Sequence, residues 1–456
     1  MNPDRPSERQ GNRAGVQLGA DEAIERIGRR ARVYVAQGSA APYGLLAAID
    51  AAHDRFAELE FVSAFLLDRP APLDHLGNPF RWTSLQPSGA LRDALDSPHF
   101  GVVPARYSDI TGLVGPGGGL EADVLLCQVS PPDADGRMSL GTGVGGHVDL
   151  LRSTPLVIAQ VNPHMPYVHG AGECHRTDFD GLVEVDEPLP ELAPAVVDET
   201  AAAIAAHVGQ FIGDGTTLQF GIGSIPDAVL SSLADRRHLG LHGGMINDAC
   251  IDLIDSGAVD NRHKGPVGDG VSVAAEVMGT RRLYDWVDGN PAVQLVNGAL
   301  SHGIEGIAQI RNFVALQSTV QMALDGSANS EMIAGRYISG PGGAPDFAFG
   351  ACVATGGRSI VAMPSTAARG RISRIVPRLE PGAPTTLPAY TADIVATEFG
   401  AVELRGRSLE ERANLLTSIA HPDFRDDLSG GPQMSRWGSA RTPPSRERPR
   451  AGSPAG

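Results

Sequence analysis

Thr216-Thr217-Leu218-Gln219-Phe220-Gly221-Ile222-Gly223-Ser224-Ile225-Pro226 reads as a strand, a glycine turn and the start of a helix. Pro226 suits a first helical turn because the N–H it lacks has no intrahelical partner there, and Ala228-Val229-Leu230 carry the helix on. Just upstream, Val197, Ala201, Ile204, Val208 and Phe211 step by four, three, four and three, which lines them along one face of a preceding helix. The N-terminal half repeats this grammar. Arg32-Val33-Tyr34-Val35-Ala36 runs into Gly38-Ser39-Ala40-Ala41-Pro42 and then the apolar Leu45-Leu46-Ala47-Ala48-Ile49. Leu59 to Phe65, Val124 to Val129 and Leu156 to Val161 are further unbroken apolar runs. Runs of this kind, separated by helical segments, predict an α/β fold of mostly parallel sheets covered by helices on both faces.

Glu187-Pro188-Leu189-Pro190-Glu191-Leu192-Ala193-Pro194 is a stiff linker, so one unit is expected over 15–190 and a second over 196–428. Residues 1–14 and 429–456 carry too little apolar surface to offset ordering entropy and are expected as disordered tails. The chain has 456 residues and a formal net charge of −16, which argues against a general binder of nucleic acid or anionic membrane. Four scattered cysteines give no disulfide framework and no zinc clamp, and the chain shows neither a signal peptide nor an apolar run long enough for a membrane span. A cytoplasmic protein is expected. All positive side chains but one are arginine, and the exception is Lys264.

Several motifs could carry chemistry. The Gly221–Ile225 turn offers free backbone N–H groups at a helix start, a seat for phosphate or pantetheine, although the same turn also serves without a ligand. Gly141-Thr142-Gly143-Val144-Gly145-Gly146 satisfies G-x-G-x-x-G but lacks the downstream acid that would hold a ribose. Ser339-Gly340-Pro341-Gly342-Gly343-Ala344-Pro345-Asp346-Phe347 could form an oxyanion-binding nest or an ordinary turn. Arg369, Arg371 and Arg374 could meet phosphates or pair on the surface. His164, His169 and His175 lack short-range zinc spacing and read as loop residues near a substrate, with no metal.

Taken in order, Gln128-Val129-Ser130-Pro131-Pro132-Asp133, Val161-Asn162-Pro163-His164-Met165-Pro166, the Gly221 turn, Met278-Gly279-Thr280-Arg281-Arg282-Leu283-Tyr284-Asp285, the Gly340 cluster and Ala420-His421-Pro422-Asp423-Phe424-Arg425 resemble the acetyl-CoA hydrolase/transferase family. The resemblance spans roughly residues 15–428. It implies two similar open α/β domains of the CoA-transferase type with the active site between them, assembled as a homodimer. It also implies movement of CoA between short-chain carboxylic acids, with hydrolysis of acyl-CoA or plain CoA-thioester binding as alternatives. The substrates would be an acyl-CoA and a small carboxylic acid, with no separate cofactor. Residue by residue, Gly221, Ile222, Gly223, Ser224 and Ile225 match the CoA-binding loop, and Gly343 and Arg369 match further CoA contacts, Arg369 standing where lysine is common.

The nucleophile departs from the family. Relatives read His-Thr-Glu-Met where this chain reads His242-Gly243-Gly244-Met245, so Gly244 stands in place of the attacking glutamate. Either transferase chemistry is lost, or the carboxylate has moved. Val271 to Gly279 reads as a buried strand carrying Glu276, and a carboxylate there is costly unless paired, neutralised or functional. Glu276 is therefore the candidate nucleophile, entering space left open at positions 243 and 244, against a structural role paired with Arg281 or Arg282. Backbone N–H groups of Gly342 and Gly343 are the candidate oxyanion donors. Gln317 falls near where relatives place an amide that meets the reacting carboxylate, and Lys264 lies just ahead of the strand bearing Glu276.

Overall fold

The computed structural model describes residues 13–430. The tails expected at 1–14 and 429–456 lie outside them except for two residues at each end. Arg13 is tied down, its guanidinium donating to the carbonyl of Thr154 at 2.6 Å, and the last helix runs on to Gly430. The described chain therefore extends slightly past both expected boundaries.

Eight strands form the first sheet, in the order Val16–Leu18, Gly181–Glu184, Leu156–Val161, Val124–Val129, Arg30–Val35, Glu58–Ser63, Phe80–Ser84 and Phe100–Val102. Every neighbouring pair is parallel. Both faces are covered, which is why the strands read as continuous apolar runs: Val33 and Val35 join one core cluster while Tyr34 joins another, and Val124 and Leu126 separate from Leu125 and Cys127 in the same way. Chain order reverses between Arg30–Val35 and Val124–Val129. That reversal opens a crevice at the carboxyl ends of the two strands, the usual place for a ligand in an open α/β sheet.

The second sheet runs Gly240–Leu241, Thr217–Phe220, Phe313–Gln317, Arg358–Ala362, Ile394–Thr397 and Gly400–Glu403, with only the last pair antiparallel. Its own reversal falls between Thr217–Phe220 and Phe313–Gln317. The helix expected before it is Glu199–Gly209, capped by Asp198, whose carboxylate accepts from the amide of Ala201 at 2.8 Å. Val197 precedes the cap and is 43% exposed, so the apolar stripe begins at Ala201 rather than at Val197. One core cluster continues from Tyr34 and Leu125 of the first sheet through Val277 to Leu218 and Val314 of the second. Burying each such aliphatic side chain contributes about 1.5–3 kcal/mol, so the junction between the sheets is held by the same forces as their interiors.

The segment Val271 to Gly279 is less regular than its sequence suggests. Ser272–Ala274 pairs in parallel with Val293–Leu295, and Glu276–Val277 pairs in parallel with Met245–Ile246. The change of partner falls at Ala275. The amides of Ala275 and Glu276 converge on the carbonyl of Gly244, at 3.2 and 3.0 Å.

Candidate active site

Glu276 lies opposite Met245 in its short ladder, and its other edge is closed by the glycine-rich loop of the N-terminal half. Val144 and Gly145 donate to the carbonyl of Ala275, and Val277 donates to that of Thr142. The G-x-G-x-x-G glycines are thus close-approach glycines. A Cβ at Gly143 would stand 2.7 Å from Oε2 of Glu276 and 2.8 Å from Cβ of Ala40, and one at Gly145 would collide with the hydroxyl oxygen of Tyr107.

The carboxylate of Glu276 is buried, and among the described residues no cation lies against it. Its Oε1 accepts two hydrogen bonds, from Gln37 Nε2 at 2.7 Å and from the Tyr107 hydroxyl at 2.7 Å. Gln37 Nε2 also donates to the Tyr107 oxygen at 2.6 Å. Oε2 has no hydrogen-bond partner among the described residues and faces Gly143 and Gly38. Burial pushes the carboxyl up to about 8, against the two donors, which favour the ionised form. Gln37 lies just past the strand Arg30–Val35, which places it in the crevice of the first sheet. Arg281 and Arg282 pair instead with Asp285 and Asp252, so the alternative of an arginine-paired structural glutamate does not describe this chain.

The expected steric exchange at positions 243 and 244 takes a different form. A Cβ at Gly244 would meet His302 Nε2 at 3.3 Å and the ring of Phe347 at 3.7 Å, and one at Gly243 would meet the side chain of Gln219 at 3.1 Å. The volume a glutamate at 244 would enter is bounded by the imidazole of His302 rather than by Glu276. That imidazole is buried and stacks on Tyr107 with ring centroids 4.0 Å apart. Burial and neighbouring His242 hold His302 well below the usual histidine range, so it is neutral.

Gly343 caps the helix Ala344–Val353, which has no side-chain cap of its own, and a Cβ there would collide with His302 at 2.5 Å. The carbonyl of Gly342 accepts from the amide of Tyr107 at 2.9 Å. Tyr107 therefore joins the Gly342 cluster through its backbone and Glu276 through its hydroxyl. Asp346, in the first turn of the same helix, accepts from the amide and hydroxyl of Ser108 and pairs with Arg106 at 3.2 Å. The cluster is consequently the beginning of a helix docked on the N-terminal half, not a hairpin-like turn.

The remaining candidates fall into two groups. Gln317 ends its strand in the crevice of the second sheet and donates to Gln219 at 2.5 Å. Gly221, Ile222 and Gly223 leave the adjacent strand, and Ser224 and Ile225 open an eight-residue helix with no side-chain cap. A Cβ at Gly221 or Gly223 would meet nothing within 4 Å, so this turn borders open space. A cavity of about 130 Å³ lies between Ile222 and Gly223 on one side and Met245 and Met278 on the other, walled by Leu192–Ala195. It joins the turn to the immediate neighbours of Glu276. Arg369 is exposed at the tip of the hairpin formed by Thr366–Ala367 and Ile372–Ser373.

Lys264 is fully buried, and its ammonium donates to the carbonyls of Leu241 and Val271 at 2.8 and 2.7 Å. It clamps the two segments that lead to Gly244 and Glu276, a geometry suited to a compact ammonium, and burial lowers it to about 7. The three loop histidines have separate partners: His164 meets Asp186, His169 meets Glu173, and His175 meets Thr177 and the carbonyl of Asp135.

Sequence reasoning did not single out Gln37, Tyr107 or His302. Gln37 had a signal, since a polar residue between a buried strand and Gly38 sits where open α/β sheets bind ligands. Tyr107 and His302 lie in segments without periodicity, and only the folded chain brings them to Glu276 and Gly244.

The chain matches the models of the acetyl-CoA hydrolase/transferase N-terminal domain over residues 21–191 and C-terminal domain over residues 279–430. It is 37% identical over 410 residues to a 4-hydroxybutyrate coenzyme A transferase of Clostridium kluyveri, covering 90% of this chain and 95% of that one. The crystal structure of RipA from Yersinia pestis superposes with a TM-score of 0.85 at 32% identity, covering 91% of this chain and 96% of that one. More distantly, an acetyl-CoA hydrolase of Neurospora crassa is 26% identical over 354 residues, 67% of this chain and 64% of the relative. With both domain models matched in order and 37% identity to a relative over 90% of its length, the chain belongs to the acetyl-CoA hydrolase/transferase family.

Proposed function

We propose that Glu276 is the nucleophile of an acyl-CoA:carboxylate CoA-transferase that moves CoA between short-chain carboxylic acids through a glutamyl-CoA thioester. The chain is an enzyme of the CoA-transferase and acyl-CoA hydrolase type. One observation carries the assignment of the nucleophile: a buried carboxylate that, among the described residues, has no cation beside it, one oxygen held by two donors and the other bare. Such an arrangement costs folding free energy, so a purely structural role would be expected to have been relieved by an apolar residue.

Oε2 attacks the acyl-CoA carbonyl and expels CoA thiolate, leaving a mixed anhydride. The thiolate attacks the glutamyl carbon, the first carboxylate leaves, and the resulting thioester gives its CoA to an incoming acid by the reverse sequence. The Gly221–Ile225 turn and Arg369 hold the CoA, the 130 Å³ cavity lies on the route of its pantetheine arm, and the N–H groups of Gly342 and Gly343 stabilise the oxyanion on the acyl group. CoA thioester is substrate, and no further cofactor takes part. Hydrolysis is the alternative outcome wherever water reaches the intermediate, and the 4% exposure of Glu276 favours transfer.

Incubating the protein with butyryl-CoA, with and without acetate, tests this reading. Acetyl-CoA formed only with acetate, and lost in Glu276→Gln, supports it. Free CoA without acetate assigns a hydrolase, and neither product assigns a CoA-thioester binding protein. Among the described residues no helix is long and apolar enough to cross a membrane. A cytoplasmic homo-oligomer is part of the proposal, checked by sedimentation and cell fractionation.

A further inference from the structure

The two oxygens of Glu276 are not equivalent. Oε1 accepts from both Gln37 Nε2 and the Tyr107 hydroxyl, each at 2.7 Å, whereas Oε2 has no partner among the described residues. The donors are themselves fixed. Gln37 Nε2 also donates to the Tyr107 oxygen at 2.6 Å, the Tyr107 ring is stacked on His302, and the Tyr107 amide donates to Gly342. On the other side, Gly143 and Gly38 leave room at Oε2 that a Cβ would take away.

Resting on the reading of Glu276 as nucleophile, we propose that Gln37 and Tyr107 form an oxyanion hole for the enzyme's own glutamyl carbonyl, so that Oε1 stays with the protein while Oε2 alone is exchanged with substrate. In the first step Oε2 bonds to the acyl carbon and the carbon–sulfur bond of acyl-CoA breaks, releasing CoA thiolate. The thiolate then attacks Cδ of Glu276. Negative charge collects on Oε1, which faces the two donors already in place, and collapse breaks the Cδ–Oε2 bond. Oε2 departs in the released carboxylate, and Oε1 remains as the carbonyl oxygen of the thioester. An incoming carboxylate supplies a new oxygen at the Oε2 position as CoA is taken up again. Donors aimed at the developing charge are worth on the order of a hundredfold or more each in rate.

An isotope count on the protein tests this. The enzyme is turned over to equilibrium with acetyl-CoA and acetate labelled with heavy oxygen at both carboxylate positions, then cut with trypsin. The peptide between Lys264 and Arg281, which contains Glu276, is weighed. One heavy oxygen on Glu276 is expected, because Oε1 never exchanges. Two heavy oxygens would mean that the carboxylate turns over between cycles, which overturns the oxyanion hole but leaves the nucleophile standing. No label would remove the nucleophile itself, and the proposal with it. Tyr107→Phe keeps the ring stacked on His302 and removes one donor, and Gln37→Leu removes the other. Both are expected to slow turnover at unchanged KM for acyl-CoA and to let the second label in. A single label retained in both variants would assign the fixing of Oε1 to other groups and overturn the roles given to these two.

Discussion

Glu276→Gln is expected to abolish turnover while stabilising the fold, and the stabilisation is expected to grow with pH. The replacement keeps shape and hydrogen bonding: the amide oxygen can accept from Gln37 and Tyr107 as Oε1 does, and the amide nitrogen takes the place of Oε2, which has no partner to lose among the described residues. What disappears is the charge. Burial raises the carboxyl from an ordinary 4.5 to about 8, so the folded state keeps its proton up to about pH 8 while the unfolded chain releases it near 4.5. Between those values the unfolded state binds fewer protons, and stability falls as pH rises. At about 1.4 kcal/mol for each pH unit across that window, ionising this group in the folded protein costs about 5 kcal/mol by pH 8 and above. An unfolding entropy of roughly 2 cal/mol/K per residue converts this to about 5 °C in melting temperature, provided the chain unfolds as one unit.

Scanning calorimetry or fluorescence melting at pH 5 and pH 8.5 reads the effect directly. The variant and the parent protein are expected to melt together at pH 5, and the variant higher by several degrees at pH 8.5. Turnover of acyl-CoA is expected to fall by a factor on the order of ten thousand or more, as for removal of a nucleophile. A variant that melts at or below the parent at pH 8.5 would refute the reasoning, since Glu276 would then be contributing attraction rather than costing solvation. Retained turnover would refute the catalytic half independently of the stability half.

Three further expectations follow from the same geometry. Because attack requires the ionised carboxylate, kcat/KM should rise about tenfold per pH unit up to a limb near 8 and level above it. Tyr107→Phe, which removes a donor that favours ionisation, should move that limb to higher pH, and a flat profile between pH 6 and 8 would count against Glu276. Gly143→Ala places a methyl 2.7 Å from Oε2 and 2.8 Å from Ala40, so acyl transfer should drop at least tenfold while CoA binding, measured by calorimetry, stays within a few-fold. Lys264→Met strips the carbonyls of Leu241 and Val271 of their buried donor but also removes the desolvation cost that lowers the ammonium to about 7, so the loss of stability, measured by urea denaturation, should be greater at pH 9 than at pH 6.

The fold was legible wherever a single strand sufficed to declare itself. Val124–Val129 and Leu156–Val161 are unbroken apolar runs because both faces of the sheet are covered, and both appear at their expected bounds. The strand at 217–220 and its glycine turn were equally plain, since Gly223 takes a φ of +131° that a side chain would resist. What could not be read was the partner change at Ala275, because a run such as Val271 to Gly279 carries no mark of which neighbour each residue pairs with. The site divides along the same line. Glu276 was singled out by an acid in an apolar run together with what the family resemblance implies, a glycine at 244 where relatives carry the attacking glutamate. Its donors Gln37 and Tyr107 are 239 and 169 residues away, and separations of that size leave no local pattern to detect.

The register shows what the proposed shift of the nucleophile from position 244 to Glu276 would involve. Glu276 is the ladder partner of Met245, and its amide bonds to the carbonyl of Gly244, so positions 244 and 276 stand on adjacent strands, about 4.8 Å apart in the pairing direction. Yet the surroundings differ on the two strands. A side chain at 244 would point at His302 and Phe347, both from the C-terminal half, whereas Glu276 points at Gln37, Gly38, Tyr107 and Gly143, all from the N-terminal half. Moving the acid across one rung therefore hands it from one half of the molecule to the other. Its ionisation, and the fixing of one oxygen, then depend on how closely the two halves dock. The tight glycines Gly143 and Gly145, the Tyr107–Gly342 hydrogen bond and the Asp346–Ser108 contact all lie at that junction and set its closeness. Substitutions there should change the chemistry of Glu276 before they change the binding of CoA, whose proposed turn at Gly221 lies in the C-terminal half alone.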